Sequence, residues 1–133
     1  MSAREKRLRI IRSSDIHVVV MAVQEMAKQI GMNTGASAAL STAVSELSTN
    51  IIKYAKSGIV TTRAVRNRDQ PGIEVLVQNH GPGIEDIELA MIDNVSTSGT
   101  LGLGLPGAKR LVDEFEISSQ TGKRTRVRVV KWG

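Results

Sequence analysis

Residues 45–54 read SELSTNIIKY, and this segment decides the expected fold. The apolar residues in and before it recur at three- and four-residue spacing: Leu40, Val44, Leu47 and Ile51. Such spacing predicts a helix that starts at about Gly35 or Ser37 and runs to Ala55, with Gly58 as its stop.

The opposite face of this predicted helix is polar. Glu46, Asn50 and Lys53 stand at positions i, i+4 and i+7, so a carboxylate, an amide and an amine share one face. The amide oxygen of Asn50 suits Mg²⁺, and Glu46 could accept a proton from an attacking hydroxyl. The alternative interpretation is an ordinary amphipathic helix with a solvated polar face.

The rest of the chain predicts a sheet with helices on one side. A helix runs from Ser14 to a stop at Gly31, with Ser13, Ser14 and Asp15 as cap candidates. The other predicted elements are strands at Leu8–Arg12, Ile59–Arg66, Gly72–Gln78, Glu116–Ser119 and Thr125–Trp132, a loop at Asn67–Pro71, and helices at Asp86–Met91 and Leu105–Glu114.

Composition limits the class of protein. The chain has 133 residues, of which 41% are hydrophobic and 23% charged, and this fits one globular domain over residues 1–133. There is no cysteine, so disulfides and thiolate sites are excluded. No signal-peptide pattern or membrane span is recognisable, and we expect a cytoplasmic protein.

A net charge of +5 favours an anionic partner without naming one. Nucleic-acid binding would need Arg124, Arg126, Arg128 and Lys131 to form a patch. Only three aromatic residues are present, so no stacking platform is expected. These basic residues are better explained as the solvated face of the last strand, and no nucleic-acid or membrane partner is expected.

Two glycine-rich segments follow the polar helix. Asn79-His80-Gly81-Pro82-Gly83-Ile84 comes after an apolar strand, and its glycines let the backbone approach a flat ligand, although a plain turn explains them too. Residues 96–105, STSGTLGLGL, run into a helix and offer backbone N–H groups to phosphate. They match neither a Walker loop nor a Rossmann fingerprint, and a plain flexible loop is the alternative.

Taken in order, the three segments resemble the N, G1 and G2 boxes of the Bergerat-type (GHKL) ATP-binding superfamily, over nearly the whole chain. SELSTNIIKYA, GPGI, STSGTLGLGLPGAKRLVDEF and the ending VKWG look most like the RsbT-type stressosome switch kinases, serine/threonine kinases of bacterial stress signalling. The resemblance implies a two-layer α/β sandwich, with a mixed β-sheet covered by helices on one face.

The resemblance also implies ATP and Mg²⁺ as cofactors and a role for each matching residue. Glu46 would be the general base, Asn50 the Mg²⁺ ligand and Lys53 a contact to phosphate. The implied nucleotide-binding set also includes Asn79, Gly81, Gly83, Ile84, Ser98, Gly99, Thr100, Leu101, Gly102, Leu103, Gly104 and Thr125. The segment from Ser98 to Gly104 would form a short lid over the phosphates.

Two positions depart from the family pattern. The family aspartate that accepts a hydrogen bond from the adenine amino group is Asn79 here, and Gly-x-Gly-Thr reads Gly122-Lys123-Arg124-Thr125. Asparagine can still accept from the amino group and donate to N1. Exchanging a charge-assisted bond for a neutral one costs about 1 kcal/mol.

Two function classes therefore remain besides the nucleic-acid binder. The first is a kinase that phosphorylates Ser or Thr of STAS-domain scaffold or antagonist proteins and then activates a PP2C-type phosphatase. The second is a partner-binding anti-sigma or adaptor switch with weak or no kinase activity, because of Asn79. A homodimer is compatible with either.

Overall fold

A computed structural model describes residues 5–54, 57–79, 105–119 and 125–133. These residues form three helices and five strands: β1 Glu5–Ile10, α1 Ser13–Ile30, α2 Thr34–Tyr54, β2 Gly58–Asn67, β3 Gln70–Asn79, α3 Leu105–Leu111, β4 Glu114–Ser119 and β5 Thr125–Trp132. None of the described helices is long and apolar enough to cross a membrane.

The strands form one sheet in the order β1-β2-β3-β5-β4. The four pairings between described strands are all antiparallel, whereas the resemblance implied a mixed sheet. The direction follows from the connections, because β2–β3 and β4–β5 are consecutive strands that reverse direction and β1 returns to β2 through two helices. The predicted two-layer α/β fold class is confirmed.

One face of the sheet is apolar because alternate strand residues point to it. Val60, Val75 and Val129 are fully buried on this face, and α1 and α2 cover it. The helices contribute Val19, Val23, Leu40, Val44 and Leu47 to the same core. In addition, α2 packs against both α1 and α3, so it is the central helix of the layer.

Local hydrogen bonds explain where α1 begins and ends. The Asp15 carboxylate accepts the backbone N–H groups of Ile11 at 2.8 Å and Arg12 at 3.0 Å, and these bonds lower the pKa of that carboxyl. Of the three predicted cap candidates, Asp15 is the one that accepts. Gly31 ends the helix in the left-handed region at φ 80°, as predicted.

Several boundaries differ from the sequence predictions. The loop expected over Asn67–Pro71 is only a two-residue turn at Arg68 and Asp69, because the ladder extends to the pair Asn67–Gln70. Helix α3 ends at Leu111, three residues before the predicted Glu114, because Glu114 already pairs with Val130 as the first residue of β4.

The other face of the sheet carries an ion-pair network centred on Arg128. Its Nε lies 2.7 Å from Glu74, and its Nη1 lies 3.2 Å from both Glu114 and Glu116. The hydrogen bond with Glu74 raises the pKa of the Arg128 guanidinium. Lys131 lies 3.6 Å from Asp113. Two of the four basic residues needed for a nucleic-acid patch are therefore paired with carboxylates, and Arg124 lies outside the described residues.

Candidate functional site

Hydrogen bonds of the Asn33 side chain hold the start of α2, the helix that carries Glu46, Asn50 and Lys53. The Asn33 side chain accepts the backbone N–H of Ala36 at 2.7 Å and donates to the carbonyl of Gly133 at 3.1 Å. The Gly133 N–H donates in turn to the carbonyl of Pro71 at 3.0 Å. One asparagine thus caps α2 and ties it to the chain beyond β5 and to the β2–β3 hairpin.

The polar face of α2 lies intact on one continuous helix. Glu46, Asn50 and Lys53 are all partly buried, whereas Leu47 and Ile51 between them are 2% and 3% exposed. Burial raises the pKa of the Glu46 carboxyl, since desolvation disfavours its charged form. A partly desolvated carboxylate is a stronger base than an exposed one. All three side chains nevertheless keep partial contact with solvent, as they would in an ordinary amphipathic helix.

A second group of predicted residues meets at the end of the sheet. Asn79 ends β3 and Thr125 begins β5, and the Thr125 backbone N–H donates to Asn79 Oδ1 at 3.4 Å. Thr125 is 4% exposed, and Asn79 is partly buried. Asn79 follows Val77 on the helix-covered face. The structure therefore brings together Asn79 and Thr125, two of the predicted nucleotide-binding residues.

Gly58 connects this sheet end to α2. It is the first residue of β2 and pairs with Asn79, and a Cβ atom placed on it would lie 2.9 Å from the Ile51 side chain and 2.5 Å from the Gln78 carbonyl. Only glycine lets Ile51, one residue after Asn50, approach the strand this closely. The helical pattern predicts Gly58 only as a helix stop and does not indicate this contact. The available signal was a glycine that opens a strand after a long helix.

Comparison with known proteins identifies the family of this chain. Residues 12–131 match the family profile described as "Histidine kinase-like ATPase domain". The chain belongs to this family. It is 41% identical over 125 residues to the serine/threonine-protein kinase RsbT of Bacillus subtilis, covering 94% of each chain.

Other relatives of the chain are named for a different activity. An anti-sigma F factor of Caldanaerobacter subterraneus subsp. tengcongensis is 37% identical over 116 residues, covering 83% of this chain and 80% of that protein. Among solved structures, the SiaB–SiaC complex from Pseudomonas aeruginosa matches with a TM-score of 0.59 at 15% identity, over 98% of this chain and 90% of that chain. At this identity the structural match supports the fold alone.

These matches confirm the predicted family and, at the level of that family, the predicted enzyme class. The family implies the use of a nucleotide, and the described residues offer suitable groups in two places. Glu46 and Asn50 provide oxygen atoms on α2, and Asn79 provides an amide beside Gly58. Ten of the predicted nucleotide-binding residues lie outside the described residues: Gly81, Gly83, Ile84, Ser98, Gly99, Thr100, Leu101, Gly102, Leu103 and Gly104.

The donors available for Mg²⁺ are few. Within the described ranges, no group of three or more His, Asp or Glu side chains could hold a metal ion. The oxygen of Asn50 fits the family's ATP chemistry nevertheless, because Mg²⁺ is commonly held by one or two protein oxygens together with substrate phosphates and water.

Proposed function

We propose that this chain is a cytoplasmic protein serine/threonine kinase and signalling switch. Its substrate would be a Ser or Thr of a STAS-domain scaffold or antagonist protein, its phosphoryl donor ATP, and its later partner a PP2C-type phosphatase. The observation that carries the proposal is the partly buried Glu46 carboxylate, with its raised pKa, one turn before Asn50 on α2. The identity to a named serine/threonine kinase supports it.

Each residue of the α2 face has a role in this proposal. Glu46 accepts the proton of the attacking hydroxyl, or orients that hydroxyl, and its partial burial strengthens it as a base. Asn50 would hold Mg²⁺ through its side-chain oxygen, and Lys53 would contact phosphate. When bound, Mg²⁺ supplies positive charge to the transferring phosphoryl group. Asn33 caps the same helix and ties its start to Gly133.

The glycine-rich segments complete the proposed site through the family resemblance. Gly81, Gly83 and Ile84 would border the base, together with Asn79 and Thr125 at the sheet end. The residues from Ser98 to Gly104 would contact the phosphates with backbone N–H groups.

Phosphoryl transfer from ATP to a STAS-domain protein tests the proposal directly. We expect label from γ-³²P-ATP to reach a Ser or Thr of the STAS protein, and Asn50→Ala to slow this transfer by about 100-fold or more, because a metal-holding oxygen is lost. Thr42→Ala is the matched control, since Thr42 is an exposed residue of the same helix whose hydroxyl donates only to the Ala38 carbonyl. Equal transfer rates for Asn50→Ala and Thr42→Ala would show that Asn50 does not hold the metal ion.

The second candidate function is a partner-binding switch of anti-sigma or adaptor type, with weak or no transfer. The neutral Asn79 and the relative named as an anti-sigma F factor favour it. In this case the chain would form a stable complex with a STAS-domain protein or a sigma factor in ATP and Mg²⁺, and no label would move. Light scattering on the same samples would also reveal whether the chain forms a homodimer.

A further inference from the structure

Three exposed apolar side chains lie around the start of α1. Ile11 is 50% exposed, Val18 52% and Met21 66%, and these are the exposed large apolar residues of the described chain. Val18 and Met21 stand three residues apart and share one face of α1, outside the buried stripe that contains Val19 and Val23. We call Ile11, Val18 and Met21 the α1 patch. Exposed apolar side chains grouped in this way are typical of a surface that binds another protein.

The segment that leads into the α1 patch is basic. Lys6, Arg7, Arg9 and Arg12 are all exposed, and no acidic residue lies among them. The Asp15 carboxylate offsets one of these charges, although it also accepts two backbone N–H groups at the start of α1. Lys6, Arg7 and Arg9 form no ion pair with any residue that the structure describes. The patch therefore borders positive charge that an acidic surface would complement.

The α1 patch begins at the same end of the sheet as the candidate site. Ile10, the last residue of β1, pairs with Gly58, and Gly58 pairs with Asn79. Two strand spacings of about 4.8 Å each therefore separate Ile10 from Asn79. The Ile51 side chain lies against Gly58 in this row, one residue after Asn50 on α2. A protein that covers the patch thus also lies beside the end of α2 that carries the proposed chemistry.

We propose that the α1 patch and the basic residues before it form the docking surface for the protein substrate. The substrate would cover the patch with apolar side chains flanked by Asp or Glu. This inference rests on the proposed function, in which a STAS-domain protein brings a Ser or Thr to Glu46. The apolar contacts hold the partner, and the positive charge speeds its encounter and fixes its orientation.

Two other occupants fit the surface less well. A second copy would bring its own basic segment, and each chain already carries a net charge of +5. β1 is also an edge strand, and pairing its free edge with a copy would set basic side chains against one another. Helices that bind membrane surfaces commonly place Trp or Phe on their apolar face, whereas the patch has no aromatic side chain.

Two variants of Met21 test both the surface and the charge of its partner. Met21→Glu and Met21→Lys remove the same exposed side chain and add opposite charges. Calorimetric titration of the STAS-domain protein into the full chain with Mg·ADP measures the Kd. We expect Met21→Glu to raise this Kd about 30-fold and Met21→Lys only about threefold, because glutamate repels an acidic partner and lysine attracts it. Label transfer at saturating STAS protein should keep the wild-type kcat, since only binding is lost.

Gln70→Glu is the matched control for added negative charge. Gln70 is exposed and pairs with Asn67 at the hairpin turn, which is at the opposite end of β2 from Gly58. This variant should bind the STAS-domain protein with the wild-type Kd. Circular dichroism of the three variants establishes that they fold like the wild-type chain.

Four results would overturn the inference. The Kd could be unchanged in Met21→Glu, raised equally in Met21→Glu and Met21→Lys, or raised as much by Gln70→Glu. Alternatively, Met21→Glu could abolish a wild-type dimer seen by light scattering, or binding to phosphatidylserine vesicles, and a copy or a membrane would then cover the patch.

The proposed function can fail separately. If the STAS-domain protein binds with the expected variant effects but no label moves, the kinase activity is wrong and the docking surface stands. If the wild-type chain neither binds nor phosphorylates the STAS-domain protein, both proposals fail.

Discussion

Glu46 and Leu47 are neighbours on α2, yet one belongs to the polar face of the helix and the other to the core. Leu47 is 2% exposed and contributes to the core between the helices and the sheet. Glu46 lies about 100° round the helix from Leu47. It is only partly buried, and that burial raises the pKa of its carboxyl. The helix therefore separates the residues that hold the fold from those that we propose carry the chemistry, and substitutions at adjacent positions should affect different measurements.

Replacing Glu46 should have the largest effect, and that effect should be on the rate. Removing a general base costs about 10²- to 10⁴-fold, so Glu46→Ala should reduce phosphoryl transfer by this factor. Nucleotide affinity should stay within a few fold, because the carboxylate is proposed to act on the hydroxyl and not on the nucleotide. Single-turnover transfer and calorimetric titration of the same preparation measure the two quantities separately.

Two outcomes for Glu46→Ala would contradict the assignment of Glu46 as the general base. A loss of nucleotide affinity that parallels the loss of transfer would mean that Glu46 shapes the binding site and is not the base. An unchanged transfer rate would assign the proton to another group.

Replacing Leu47 should lower the stability of the fold and leave nucleotide affinity unchanged. Leu47→Ala removes buried methyl groups from the core and should lower the free energy of unfolding by about 2–5 kcal/mol. The folded fraction should still bind nucleotide with wild-type affinity, since the Leu47 side chain is buried in the core and not on the partly exposed polar face. Urea denaturation gives the first quantity and titration below the unfolding range gives the second.

Leu47→Met is the control for volume, because a similar-sized apolar residue should cost less than about 1.5 kcal/mol. If Leu47→Ala weakened nucleotide binding of the folded protein tenfold, the two faces of α2 would be coupled more strongly than their positions indicate.

The same contrast explains how much of the molecule could be predicted from the sequence. Helix α2 was predictable because its apolar spacing and its core contacts agree, and the shared face of Glu46, Asn50 and Lys53 follows from helical geometry alone. The end of α3 was not, because Glu114 bonds to Arg128 and to the Trp132 indole N–H across the sheet. Such long-range contacts override local helix propensity and leave no local pattern.

At the site, the family resemblance placed both Asn79 and Thr125 in the implied nucleotide-binding set, and the structure joins them by a hydrogen bond. The sequence did not reveal that the Thr125 backbone N–H donates to the Asn79 side-chain oxygen, since this depends on the register of β3 against β5. The importance of Gly58 was likewise hidden, because its close contact is with Ile51 on another element.

The smallest effect should come from changing only the charge of Glu46. Burial raises the folded-state pKa above that of the unfolded chain, so the ionised carboxylate opposes folding once the pH rises through the folded-state pKa. Glu46→Gln should therefore be slightly more stable than wild type at about pH 7, and this advantage should disappear below the unfolded glutamate pKa of about 4.3, where both side chains are neutral. Urea denaturation of the two chains at both pH values measures the difference. A stability difference that did not change with pH would show that the Glu46 carboxylate is well solvated, and burial would then no longer explain its strength as a base.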